Sequence, residues 1–226
     1  MKLSVIIPVY NEKMTIREIL RRVLETPYTK EVIVVDDGST DGTREILASL
    51  VGTAPELRVI FHSQNRGKGA AIQTALAQVT GEVVLIQDAD LEYDPADYPR
   101  LLAPILAGEA KVVYGSRFLG QRERMGFSST LGNRFLTAWT NLLYGAHLTD
   151  METGYKVFLA EVLKGIRLKG THFDFEPEVT AALLRRGHKI QEVPISYKGR
   201  SRKEGKKISW RDGLTATLVL LRQRLT

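Results

Sequence analysis

Two aspartates two positions apart, Asp88 and Asp90, follow the apolar run Val83-Val84-Leu85-Ile86. At i and i+2 of an extended segment both carboxylates point the same way, and their repulsion makes the pair costly unless a cation sits between them. Hard oxygen donors of this kind suit Mg2+ or Mn2+, which take one or two carboxylates and let phosphate oxygens complete the shell. Three further polar clusters, Pro8 to Glu12, Asp36 to Gly42 and Asn65 to Gly69, also follow apolar runs. Singly, these have structural explanations. Asp37-Gly38-Ser39-Thr40-Asp41 makes a turn and cap before a helix at Thr43. Gly67-Lys68-Gly69 lacks the spacing of a phosphate loop, and no Gly-x-Gly-x-x-Gly follows the first run, so neither a Walker nor a dinucleotide fingerprint is supported. A cap accounts for one aspartate and leaves the Asp88/Asp90 pair without a reason.

The clusters need a frame that brings them to one edge. Apolar runs at 3–8, 32–36, 57–62 and 83–87 alternate with helix-length amphipathic stretches at 15–24, 43–51 and 69–79. Strands that are apolar at nearly every position and separated by helices specify a mostly parallel α/β sheet covered on both faces. In such sheets ligands bind at the carboxyl ends of the strands, near the point where strand order reverses. All four clusters fall at strand ends. A helix at 96–107 and a strand at 111–115 continue the pattern. Beyond Gly120 it changes to a mixed α+β region, with a long helix, a segment at 154–158, a helix around 177–186 and short strands at 189–193 and 195–198. The stripe Phe127, Leu131, Phe135, Trp139 and Leu142 on the long helix reads as core, with a groove for a lipid tail as its functional alternative.

The 226 residues are 43% hydrophobic and 26% charged, which excludes wholesale disorder and a membrane-embedded bundle. Residues 1–8 read as a strand rather than a targeting peptide, and no run approaches the roughly 18 apolar residues of a membrane span. With no cysteine, a disulfide framework, thiolate metal sites and a cysteine nucleophile are excluded, in keeping with a cytoplasmic location. His62, His147, His172 and His188 lack ligand spacing and read as structural or surface residues. Of the net charge of +6, residues 196–226 carry +7, with nine basic and two acidic side chains. Basicity confined to one end argues against a nucleic-acid-coated surface.

The strings VIIPVYNE, VVDDGSTDGT, NRGKGAA and DADLE, in this order and at these spacings, resemble glycosyltransferase family 2 with its GT-A fold, and within it the polyprenyl-phosphate sugar synthases. The likeness covers essentially the whole chain. It implies a single catalytic domain over 1–226: a Rossmann-like nucleotide-sugar-binding half at 1–119, an acceptor-side half at 120–195, a basic loop at 196–208 and a C-terminal amphipathic helix at 209–226. It also implies that Pro8, Tyr10, Glu12 and Asp37 hold the base and ribose of a nucleotide sugar. Asp88, Ala89 and Asp90 would form the metal motif, with Glu92 as a further ligand where related mannose synthases carry glutamine. Arg117 and Arg134 match positions that receive the acceptor's phosphate, and 150–156 matches the segment near the sugar.

The expected reaction is direct displacement with inversion, moving mannose from GDP-mannose or glucose from UDP-glucose to a polyprenyl phosphate. A metal held by Asp88 and Asp90 would neutralise the leaving diphosphate, aided by Lys68 and by C-terminal cations such as Arg202 and Lys206. A phosphate acceptor is already anionic and needs no strong base. A hydroxyl acceptor, the alternative, needs one, and Asp150 or Glu152 would serve. The basic run and the helix after it suit a mobile loop and an interfacial helix, and so a peripheral protein at the cytoplasmic face of an anionic membrane. A non-catalytic lipid-binding module would explain the tail but leave the aspartate pair without purpose.

Overall fold

The computed structural model describes residues 1–168, 170, 174–200 and 210–225. The first half forms as its apolar runs require. Strands β1 (Leu3–Val9), β2 (Lys30–Asp36), β3 (Leu57–Phe61) and β4 (Val83–Ile86) are parallel and lie in the order β3-β2-β1-β4. The chain steps outward from β1 to β3 and returns beside β1 as β4, so strand order reverses between β1 and β4. Helices α1 (Ile16–Glu25), α2 (Thr43–Leu50) and α3 (Lys68–Leu76) make the crossovers. Alternation along the strands divides the core in two. Val5, Ile7, Val32, Val34 and Leu85 share one core with α1, α2 and α4 (Tyr98–Leu106). Ile6, Ile33, Val35, Val84 and Ile86 share the other with α3 and with α6 (Ala160–Lys164) and α7 (Phe175–Arg185).

The second half extends the same sheet to seven strands in the order β3-β2-β1-β4-β7-β5-β8. Here β7 (Lys156–Leu159) is antiparallel to β4 and to β5 (Val112–Ser116), and β8 (Gln191–Pro194) is parallel to β5. This is the mostly parallel sheet expected. A separate two-stranded ribbon pairs β6 (Arg122–Glu123) with β9 (Tyr197–Lys198).

The long helix α5 (Phe127–Tyr144) packs against α7 and against α8 (Trp210–Leu225), and it corrects the reading of its stripe. Phe127 is 84% and Leu142 74% exposed, Leu131 and Phe135 are exposed as well, and Trp139 is only partly buried. The face that α5 buries carries Leu136, Thr137 and Thr140. Periodicity reveals that a helix has an apolar stripe but not which neighbour covers it. The threonines go inside because their hydroxyls are satisfied: Thr140 donates to the Leu136 carbonyl, and Thr137 accepts from the Met151 N–H. Among the described residues no helix is long and apolar enough to cross a membrane.

The end of the sheet opposite the clusters is held by one carboxylate. Glu31, at the start of β2, accepts from the Ser4 hydroxyl of β1 and from the backbone N–H groups of Thr80 and Gly81, which lead into β4. Burial acts to raise its pKa, but these hydrogen bonds outweigh it and bring the group down to about 2. A depressed carboxylate stabilises the fold above its unfolded pKa and loses that contribution as pH falls through the folded value. Glu31→Gln should therefore cost about 2–3 kcal/mol near neutrality. The deficit should shrink between about pH 4.5 and about pH 2, which urea unfolding of both proteins across that range will measure.

Candidate active site

The turns after β1, β2, β3 and β4 meet at the reversal point, and each is fixed by the next. Asn11, with φ of 52°, donates its N–H to Ser39 Oγ and accepts from the Thr40 N–H, while the Glu12 N–H donates to Thr43 Oγ1. The first turn is thereby stapled to the second. Asp37 then ties the second to the third: its carboxylate lies 2.7 Å from His62 Nδ1 and accepts from the N–H groups of Arg66 and Gly67 at 3.0 and 2.7 Å. Gly38 permits this closeness, because a Cβ there would sit 2.5 Å from the Gln64 carbonyl carbon. His62 thus has the structural role its isolation in sequence suggests, although nothing in the sequence pairs it with Asp37. Pro8 lies within β1 itself and Tyr10 is half-buried at its end.

The turn after β4 carries the aspartates. Asp88 is 2.7 Å from Lys68 Nζ, which lies equally close to Glu176 of α7. Asp90 Oδ1 accepts from the Glu92 N–H and its Oδ2 accepts from Arg200 Nη2 at 3.0 Å. Arg200 also forks onto Glu12 at 2.9 and 3.2 Å. Glu92 faces the same residue, accepting from the Arg200 N–H and the Tyr197 hydroxyl. Ala89, between the aspartates, is buried in the core. The sequence pointed to the basic run that contains Arg200, through Arg202 and Lys206, but not to Arg200 itself, which lies more than a hundred residues from the aspartates.

The donor set fits a hard divalent cation. Burial, with repulsion from Asp88 and Glu92, lifts the Asp90 pKa to about 7 although Arg200 opposes it, and among the described ion pairs Lys68 and Arg200 face the four carboxylates of Glu12, Asp88, Asp90 and Glu92. Among the described residues no three acidic or histidine groups are gathered closely enough to hold a metal alone. Asp88 and Asp90 would supply two oxygens and leave the remaining positions to a ligand. Glu92 is engaged by β9 and the residues after it. The 150–156 segment closes over this turn: Gly154 donates its N–H to the Tyr93 hydroxyl, and a Cβ at 154 would fall 2.1 Å from Asp88 Oδ2.

Arg117 and Asp150 form a buried bidentate pair at 2.7 Å on both arms, and the Arg117 N–H adds a third bond to the same carboxylate. The guanidinium rests over the Tyr197 ring. Arg134 is exposed on α5 with its guanidinium 5.6 Å from the Phe118 ring, which Arg122 also approaches at 4.8 Å. Glu152 differs from Asp150. Burial, with Glu176 nearby, raises its pKa to about 7, and its Oε1 is a buried atom without a hydrogen-bond partner among the described residues. Lys156, lowered to about 8 by burial, donates instead to the Met151 and Thr153 carbonyls. Arg202, Lys206 and His172 lie outside the described residues. Removing one partner of a buried pair leaves the other's charge uncompensated. Asp150→Asn should therefore destabilise the protein by about 3 kcal/mol, measured by chemical denaturation, whereas a free surface aspartate would change it by less than about 0.5 kcal/mol.

Residues 4–167 match the model of Glycosyl transferase family 2. The undecaprenyl-phosphate mannosyltransferase of Micrococcus luteus is 30% identical over 91% of this chain and 87% of its own length. The UDP-N-acetylglucosamine–dolichyl-phosphate N-acetylglucosaminyltransferase of Methanococcus voltae is 29% identical over 84% of this chain and 83% of its own length. Other relatives are longer, and the chain spans 47% of one of them. Among solved structures, glucosyl-3-phosphoglycerate synthase of Mycobacterium tuberculosis, in complex with Mn2+, UDP-glucose and phosphoglyceric acid, superposes with a TM-score of 0.78. It is 25% identical, over 99% of this chain and 79% of that one. The reversal-point aspartates, the GT-A sheet that carries them and the family match together place this chain in glycosyltransferase family 2, as a glycosyltransferase akin to the polyprenyl-phosphate sugar synthases.

Proposed function

We propose that this chain transfers a hexose, mannose from GDP-mannose or glucose from UDP-glucose, to a polyprenyl phosphate. The observation that carries the reading is the aspartate pair at the reversal point, Asp88 against Lys68 and Asp90 against Arg200, with no group of three acidic or histidine side chains gathered there among the described residues, which suits a metal shared with a diphosphate. A bound Mg2+ or Mn2+ would supply Lewis-acid stabilisation of the departing nucleoside diphosphate. Asp88 and Asp90 would hold that ion, and Lys68, bridging Asp88 and Glu176, fixes one of the two carboxylates. Pro8, Tyr10, Glu12 and Asp37 form the wall proposed for base and ribose; Asp37 acts there by holding the 65–67 turn in place. Arg134 receives the acceptor phosphate, and Arg117, clamped by Asp150, shapes the segment that faces the sugar. The likeness to the Micrococcus and Methanococcus enzymes, whose names specify prenyl-phosphate acceptors, supports this acceptor class.

The exposed stripe supports a lipid acceptor on a membrane surface. Phe127, Leu131, Phe135 and Leu142 of α5, with Leu214, Leu218 and Leu225 of the adjoining α8, leave large apolar side chains uncovered. Arg222 and Arg224 stand in the last turn of α8. Apolar side chains that enter the acyl boundary beside cations that meet anionic headgroups describe an interfacial surface, and so a peripheral protein at the cytoplasmic face. Burying three such side chains is worth about 1.5–3 kcal/mol each. Flotation with phosphatidylglycerol vesicles should accordingly fall by more than about 100-fold in a Phe127→Ser/Leu131→Ser/Phe135→Ser variant. Equal flotation of variant and parent contradicts membrane docking by this face.

A second reading has one observation in its favour. Glu152, with its raised pKa and an oxygen that has no hydrogen-bond partner among the described residues, would serve as the base that a hydroxyl acceptor requires. Transfer assays with undecaprenyl phosphate and with saccharide acceptors separate the two. In either case Asp90→Ala should lower turnover by roughly 100- to 1000-fold. The prenyl-phosphate reading expects lipid product with Glu152→Gln still active; product only on saccharides, abolished by that substitution, overturns it.

A further inference from the structure

Arg200 has a placement that the reaction just described does not use. The backbone leading to it is fixed on both sides: the Lys198 N–H donates to the Glu92 carbonyl, the Gly199 N–H to the Glu123 carbonyl, and the Arg200 N–H to Glu92 Oε1 at 2.7 Å. This directs the side chain into the acidic centre, where it is 16% exposed. Its Nη1 and Nη2 reach both oxygens of Glu12, and Nη2 also reaches Asp90 Oδ2 at 3.0 Å. Nε lies 3.8 Å from Glu92 Oε1 and has no hydrogen-bond partner among the described residues. One guanidinium thus bridges the turn after β1 to the turn after β4.

We propose that Arg200 is an exchangeable internal cation and a positioning residue for the reaction: in the metal-free chain its guanidinium holds Glu12, Asp90 and Glu92 together, and a divalent ion binds by displacing it from Asp90. This rests on the assignment of Asp88 and Asp90 as the metal-binding pair. Each oxygen of Asp90 accepts one hydrogen bond, Oδ1 from the Glu92 N–H and Oδ2 from Arg200. A divalent ion on Oδ2 would stand beside Nη2, and the repulsion between the two positive charges is relieved when the guanidinium moves away. Arg200 counters the repulsion among Glu12, Asp90 and Glu92, so the residue helps to keep the site assembled until the metal arrives. Metal entry frees the guanidinium from Asp90 while the backbone bonds to Glu92 and Glu123 stay. The exchange therefore couples loading of the site to the start of the basic C-terminal run.

The test is Mn2+ binding to the full chain without nucleotide, read from the loss of the free-ion electron paramagnetic resonance signal. Thermal unfolding in EDTA and in Mn2+ is read alongside. Arg200→Gln should bind Mn2+ about 10-fold more tightly than the parent, melt lower in EDTA, and gain more on adding Mn2+. Arg200→Lys keeps the charge but loses the fork, so it should fall between the two, and it carries the test if the glutamine variant does not fold. Unchanged or weaker Mn2+ binding by Arg200→Gln, with equal thermal gains, overturns the exchange. If no protein binds Mn2+ even with a nucleoside diphosphate, the metal assignment falls and the exchange with it; if all bind it equally, only the exchange falls.

Discussion

Four carboxylates from two turns, Glu12, Asp88, Asp90 and Glu92, are held in one small space by Lys68 and Arg200. That imbalance is the constraint to which the rest of the structure answers. Burial raises the proton affinity of Asp90, and the like charges of Asp88 and Glu92 raise it further. Neither turn could hold this arrangement alone. The β1 turn is fixed through Ser39, Thr40 and Thr43, and the β4 turn through Glu92 and the residues after β9. A surplus of negative charge that packing maintains is stored affinity for a cation, and a nucleoside diphosphate is the kind of ligand whose own charge then requires that cation.

The sheet makes the crowding affordable. Strand order reverses between β1 and β4, and in such sheets ligands bind at the carboxyl ends beside the reversal, which is the end where the carboxylates stand. Beneath it, Gln87 Oε1 accepts hydroxyl hydrogen bonds from Tyr98 and Tyr155. This ties β4 to α4 and to the segment before β7. The antiparallel β7 then brings 150–155 back over the aspartates, where glycine at 154 is demanded by contact with Asp88. Arg117, locked onto Asp150 at the start of that segment, holds its shape. The acidic residues of this region therefore divide into those that hold geometry, Asp37, Asp150 and Glu192, and those we propose for chemistry, Asp88, Asp90 and Glu152. Glu192 belongs with the first group because it accepts the N–H groups of Thr149 and Asp150.

Much of the parallel half was legible because its strands are buried on both faces, which leaves unbroken apolar runs bounded by polar turns. The aspartate pair was legible for a related reason: carboxylates at i and i+2 after such a run have few structural uses. What stayed hidden depends on long-range partners. The ribbon of β6 and β9 has two residues per strand, too few for any pattern, yet it aims Arg200 at Glu12 and Asp90. The partner of Asp37 is a histidine with no motif around it. The α5 stripe was visible, but its covering was not, because a run of apolar residues at helical spacing looks the same whether it faces a core or a membrane. Asp150 and Glu152, two residues apart, looked interchangeable as bases until packing gave one a guanidinium and left the other with an oxygen that has no hydrogen-bond partner among the described residues.

The central claim is that the reversal-point aspartates seat a divalent ion shared with a nucleoside diphosphate. A crystal grown with Mn2+ and the nucleoside diphosphate, with anomalous data collected at the manganese edge, tests it directly. The account predicts a single manganese peak bridging Asp88, Asp90 and diphosphate oxygens, with Glu92 still bonded to the chain after β9. Nucleotide bound in the crevice with no manganese at these aspartates, or manganese held by other residues, would contradict it.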